Sequence, residues 1–458
     1  MGISYERYAK LNHARGDYPA MNSNLTAGFL VSAVSAFLFA AGSVILAWYA
    51  GPLFSLPPDI LPVARRVFLL IGFTTAFLIL TGVWETPAFV TERFYVIELG
   101  NLVCSVVAAG AVVLVFELWQ PSIVVWVLLS NGLLVLWRFL VMMPLARRML
   151  PSFRLGWSLI RSSAQGRELM AFGGLNFLGG VGYLLYYASD SIIISNLSEL
   201  GPDMIVFYNV AQRWDPQIRM LVMAFVGTTL PMMTSLVSLQ QTDRLQSVFL
   251  RGTRYALLIG SFPALLLVFL ARPFLLHWVG EDFARISAPV LQLLMVQFLL
   301  CLPERMAYNV NIAYGRMAGP VRIALAGGVL NIVVSILLVK AGWGLLGVAL
   351  GSALALLMVA AYCTHHALRL MALPWRQVWT DACWPAVRAC LPLVAVLVLL
   401  RWCWEPSHLG WVFVQFALAG LPYLAGAWWL GLHAEERQQV LTVARQGWAR
   451  LTGGNGRG

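Results

Sequence analysis

Residues 321–367 read VRIALAGGVLNIVVSILLVKAGWGLLGVALGSALALLMVAAYCTHHA: two apolar runs, 321–339 and 345–367, parted only by Lys-Ala-Gly-Trp-Gly. About twenty apolar residues carry a helix across hydrocarbon, so a pair of such runs with so short a join is a membrane hairpin. Working outward, ten further runs appear at 25–49, 67–89, 98–118, 123–141, 169–197, 205–236, 255–276, 288–310, 384–400 and 410–432. The chain has 458 residues, 60% of them hydrophobic and 11% charged, against roughly 25% charged in soluble domains, and its mean hydropathy is +0.77. A water-facing globular exterior is excluded. The fold class is an all-α polytopic membrane protein with about twelve spans.

The formal charge of +11 rests on 29 Arg and two Lys, Lys10 and Lys340. Their distribution argues against a nucleic-acid partner, because they collect in alternate short loops, the mark of the cytoplasmic side. Arg7, Lys10, Arg15 and Arg93 fall there, followed by the linker cluster Arg147, Arg148, Arg154, Arg161 and Arg167. Arg244, Arg251, Arg254, Arg316, Arg322, Arg369, Arg376 and the tail arginines take the same side. The opposite loops hold Glu199, Asp203, Glu281, Asp282 and Glu405. The expected topology is a multi-pass bacterial inner-membrane protein with both termini in the cytoplasm. The six cysteines lie in or beside apolar runs without metal-ligand or CxxC spacing, and neither a metal nor a cofactor is implied.

An internal repeat turns the list of spans into an architecture. GDYPAMN at 16–22 answers TDRLQSV at 242–248, AGPLF at 50–54 answers ARPFL at 271–275, and WETPAF at 84–89 answers PERMAY at 303–308. The offset stays near 220, and Arg93 and Asn101 answer Arg316 and Asn331. Both halves run the same way through the membrane, giving two pseudo-symmetric lobes. The repeat divides the chain into an N-terminal lobe of four helices (1–145), a basic cytoplasmic linker (146–168) and a C-terminal lobe of six helices (169–372). A terminal helix pair (373–432) and an amphipathic cytoplasmic tail (433–458) follow. The first lobe is expected to lack the opening hairpin that 169–236 supplies to the second. Either that hairpin has been shed or the chain starts downstream of the true beginning.

Several segments carry a resemblance: DSIIIS at 190–195, VFYNVAQR at 206–213, LPMMTSL at 230–236, HWVGEDF at 277–283, GGVLNIVVS at 327–335 and GWGLLGVALG at 342–351. In this order and spacing the chain resembles the oligosaccharide flippases, the Wzx-type polysaccharide biosynthesis proteins of the multidrug/oligosaccharidyl-lipid/polysaccharide exporter superfamily. The resemblance covers nearly the whole chain. It implies alternating access that moves an undecaprenyl-pyrophosphate-linked oligosaccharide repeat unit outward for lipopolysaccharide or exopolysaccharide synthesis. Its partners would be the lipid-linked oligosaccharide, membrane lipids, and the polymerase and chain-length proteins of such a pathway. Two alternatives stay open: a multidrug or other small-solute exporter of the same superfamily, and a membrane glycosyltransferase or polymerase. No Ser/His/Asp or P-loop pattern speaks for an enzyme.

An ionisable group at membrane depth faces a partner, a cavity or a substrate path. Asp190 lies about eight residues before an outer loop and Arg213 about nine after it, so both sit roughly 12 to 14 Å below the surface. They are expected to pair, as a substrate-responsive contact at the cleft or as a fixed strut. Arg219 is a second guanidinium suited to pyrophosphate oxygens, with Asp215 at i−4 as a possible partner. Tyr187, with Tyr183 and Tyr186, would stack on sugar rings or pack in the core. Glu85 and Glu304 occupy equivalent places in the two repeats and suit a coupling ion, or Glu304 neutralises Arg305. Arg138 is expected to snorkel to the interface. Single cysteines placed at Ser163 and Gly454, in a chain stripped of its native cysteines, should resist an impermeant thiol reagent applied to intact cells. Labelling of either would reverse the orientation.

Overall fold

The computed structural model describes residues 9–10, 12–13, 16–54, 56–91, 93–119, 121–156, 182, 186, 188–197, 200–438 and 441–442. Among them the secondary structure is helical, and ten runs are long and apolar enough to cross a membrane. The longest, Ala318–Met371, doubles back at Gly342 (φ +88°) and Gly344 (φ +55°). Glycine without a Cβ takes these left-handed angles freely, and the run becomes the hairpin expected from 321–367. The expected span at 169–197 lies largely outside the described residues, as do most of the linker and tail.

The chain forms two compact units, Met1–Gly180 and Val181–Gly458. The first holds α1 (Tyr18–Phe54), α2 (Leu61–Val90), α3 (Phe94–Leu118) and α4 (Ile123–Met149). In the second, α5 (residues 188–196) and α6 (Met204–Ser238) precede α7 (Thr242–Val279), α8 (Glu281–Ala313), α9 (Ala318–Leu338) and α10 (Gly344–Met371). The terminal pair is α11 (Trp375–Cys403) and α12 (Leu409–Gly431).

Within the first unit α1 packs on α2, α2 on α4, and α3 on α4; within the second α7 packs on α8, α8 on α10, and α9 on α10. Lengths match as well, 37 residues in α1 against 38 in α7 and 27 in α4 against 28 in α10. The same four-helix plan is therefore built twice. Lipid supplies no hydrophobic drive between helices, so close packing depends on small residues at the contacts. A Cβ at Gly72 would fall 2.1 Å from Ser43 Oγ across α1 and α2, and one at Gly351 would fall 2.1 Å from Ser335 Oγ across α9 and α10.

Two charges sit where the sequence reading did not place them. Arg138 does not snorkel. Its guanidinium pairs with Glu85 at 2.8 Å and donates to Leu78 O at 2.9 Å, because the carboxylate on α2 satisfies it at depth. Arg254, assigned to a basic loop, is buried (2% exposed) in α7, where it pairs with equally buried Glu436 beyond α12 and donates to Asp381 O at 2.8 Å. Burial alone would raise the Glu436 pKa, but the His433 N–H, the Arg254 guanidinium and Tyr255 together hold it below the ordinary value of 4.5. A lowered carboxylate pKa contributes stability that is complete above its unfolded value and is lost as pH falls through the folded one. Glu436→Gln should destabilise the detergent-purified protein by about 3–5 kcal/mol at neutral pH by stranding Arg254. The gap from the parent should narrow below pH 4.5. Equal thermal melting of the two proteins at neutral pH would show that the pair carries no stability.

Candidate functional site

Asp190 enters the second unit on α5 and is 1% exposed. Its carboxylate accepts hydrogen bonds from Tyr208 Oη on α6 (2.7 Å), Asn331 Nδ2 on α9 (3.1 Å) and Ser352 Oγ on α10 (2.9 and 3.0 Å to its two oxygens). Asn331 Nδ2 also donates to Tyr186 O and Ser189 Oγ, while its Oδ1 accepts from Ser335 Oγ (3.2 Å) and lies 3.0 Å from Ser352 Oγ, an alternative acceptor for that hydroxyl's one proton. One amide thus joins α5, α9 and α10. A cavity of ≈ 10 Å³, room for about one water, lies against Asp190, Tyr208, Gln212, Asp215, Gln297 and Ser352.

The expected Asp190–Arg213 pair does not form. Asp190 takes the neutral donors above, and Arg213 is exposed. Depth along a helix fixes height but not azimuth. Tyr208, Ala211, Asp215, Ile218, Arg219 and Val222 share the buried face of α6. Arg213, about 200° of helical rotation from Ala211, points elsewhere. Arg219 pairs with Asp215, its Nη2 lying 2.8 and 2.5 Å from the two carboxylate oxygens. Its guanidinium also lies 5.9 Å from the Phe298 ring.

Tyr187 and Tyr183 lie outside the described residues. Tyr186 is buried and donates to Ala324 O at 3.3 Å, in space opened by Gly327, where a Cβ would strike its Oη. Glu85 and Glu304 hold matching places in the repeat but differ in partner, Arg138 from a neighbouring helix for one and the adjacent Arg305 (3.3 Å) for the other. Tyr208, Asn331 and Ser352 went unassigned in the sequence. The available signal was that Asn331 and Ser352 interrupt otherwise apolar spans. Chemically, the set holds one buried carboxylate, an amide oxygen and hydroxyls that donate or accept by rotation, which suits uptake of a proton or a small monovalent cation. Among the described residues no three His, Cys, Asp or Glu side chains gather as metal ligands.

No family model matches the chain. An uncharacterized membrane protein, EpsK of Bacillus subtilis (strain 168), is 26% identical over 314 residues, 67% of this chain and 60% of that protein. The match spans about three fifths of the relative's length. Among solved structures, the lipid II flippase MurJ in an inward closed conformation aligns with a TM-score of 0.63 at 14% identity, over 93% of this chain and 88% of its own. An inward-facing MATE multidrug transporter of the MOP superfamily aligns with 0.63 at 10% identity, over 81% and 86%. A MOP superfamily transporter from Pyrococcus furiosus, described by the reversed polarity of its binding pocket, aligns with 0.63 at 10% identity, over 81% and 83%. This chain has the MurJ/MATE-type fold. It is a multi-pass membrane protein built as two lobes.

On that MurJ/MATE-type fold the polar centre of the second unit is a four-helix junction, and its strength is measurable. Tyr208→Phe should cost about 1 kcal/mol and Asn331→Ala more, since the alanine leaves several buried groups without a partner. Unchanged thermal unfolding in detergent for both variants would show that the junction does not hold the helices.

Proposed function

We propose that the chain is a flippase that carries an undecaprenyl-pyrophosphate-linked oligosaccharide repeat unit from the cytoplasmic to the periplasmic leaflet of a bacterial inner membrane, by alternating access, for surface polysaccharide synthesis. The observation that carries this reading is the MurJ-like fold extending over 93% of the chain. The cationic inventory of 31 Lys and Arg against 20 Asp and Glu supports an anionic rather than a cationic cargo, and its loop distribution supports an orientation with both termini inside. In this reading the protein is not an enzyme. Arg213 is the guanidinium that meets the pyrophosphate oxygens on the way out, being exposed where Arg219 is already engaged by Asp215. Asp190 is the coupling group, since its charge is compensated by neutral dipoles that a proton or monovalent cation can replace.

Export of small solutes is the second reading, favoured by an equal TM-score to a MATE transporter. Reconstitution separates the two. In vesicles holding a fluorescent undecaprenyl-pyrophosphate saccharide, the chain should increase the fraction of label reached by an impermeant reductant. Arg213→Ala should slow that exposure about tenfold or more, as expected for loss of a charge-assisted bond, and Arg213→Lys should restore part of it. Asp190→Asn should abolish any dependence on an imposed ion gradient. Efflux of a small cationic dye without lipid translocation would select the second reading.

A further inference from the structure

We propose that the corner between α10 and α11 binds the headgroup of an anionic phospholipid, of which phosphatidylglycerol, with its single phosphodiester charge, is the simplest. A groove of ≈ 400 Å³ opens there, lined by His365, Leu368, Arg369, Leu373, Pro374 and Trp375. The chain turns sharply at this point. Ala372 takes the left-handed conformation (φ +54°), Leu373 N–H returns to Leu368 O at 2.9 Å, and Pro374 leads into α11. That turn closes the end of α10 and sets Arg369, in its last helical turn, across from Trp375.

No carboxylate lines the groove. The Trp375 indole N–H donates to His365 Nδ1 at 3.3 Å, and the two rings lie nearly parallel, 7° apart. An accepting Nδ1 leaves the neutral ring's proton on Nε2, a second donor among the groove's lining residues, which include Arg369. Arg316, just before α9, and Arg369, in the last turn of α10, lie at the same end of the α9–α10 hairpin. Arg251, Arg254, Arg272, Arg285 and Arg305 each have a carboxylate within 4.0 Å. Among the described residues, Arg316, Arg322, Arg369 and Arg376 have none, and neither do Arg213, Arg244, Arg388, Arg401 and Arg437 elsewhere on the unit. What sets this corner apart is that four such arginines fall at the end of the unit that holds the groove.

Position selects a lipid as the source of the anion. With 28 residues, α10 is about 42 Å long, against a hydrocarbon core of about 30 Å and a full bilayer of about 40–45 Å. Arg369, two residues from the helix end, therefore reaches the level of phosphates. Trp375 and Trp379, both exposed and one turn apart on α11, offer aromatic faces at the same level, where tryptophan is favoured. Juxtamembrane arginines attract anionic lipid by an amount that accumulates with each charge.

The test uses the purified full chain in detergent, titrated with phosphatidylglycerol or phosphatidylcholine, with bound lipid counted by native mass spectrometry. Phosphatidylglycerol should bind in preference, and Arg369→Gln and Arg376→Gln should each weaken it about fivefold. Arg401→Gln, at the far end of α11, should leave it unchanged. A photoreactive phosphatidylglycerol analogue in phosphatidylcholine vesicles should label the peptide containing Trp375, and inorganic phosphate should not compete. Three results would each overturn the assignment: equal binding of the two lipids, equal weakening by Arg401→Gln, or displacement by inorganic phosphate.

Discussion

Hydrocarbon offers Asp190 nothing to bond to, and the second unit is arranged around that fact. A buried carboxylate costs several kcal/mol unless donors are brought to it. Here they come from three other helices: Tyr208 on α6, Asn331 on α9 and Ser352 on α10. Each donor is neutral, so the group is solvated by dipoles rather than cancelled by a countercharge. A salt bridge would lock the helices in one arrangement. A ring of rotatable hydroxyls and one amide tolerates a change of charge at its centre.

The outline of the fold was legible because it follows from counting. Apolar runs long enough for the bilayer gave the spans, Lys-Ala-Gly-Trp-Gly at 340–344 gave the hairpin, and the recurrence of motifs at an offset near 220 agrees with two units that share one packing order. The site was only half legible. An i,i+4 relation is local, so Asp215 and Arg219 could be paired on paper. The Asp190–Arg213 pair failed because two residues at equal depth can still point to different sides of their helices. The Asp190 junction joins positions as far as 162 residues apart, a distance over which composition and periodicity carry no information.

The repeat keeps one packing order over four helices and varies in chemistry. Glu85 and Glu304 stand at corresponding places, yet one is tied to a neighbouring helix and the other to its own sequence neighbour. In α2 the carboxylate closes a short 3-10 segment, Gly82–Glu85, whereas in α8 the helix passes unbroken through Pro303. The two units share which helix touches which, with small residues at the crossings, and differ in how their ionisable groups are paired.

The Arg254–Glu436 pair has a consequence for biogenesis. Its members are 182 residues apart, so at about 5–20 residues per second of synthesis the guanidinium emerges roughly ten to forty seconds before its partner exists. During that interval α7 carries a cation whose carboxylate partner in the finished protein has not yet been made. This contact can close only once α12 is made and Glu436 follows it, which ties the terminal helix pair to α7 rather than leaving it an appendage.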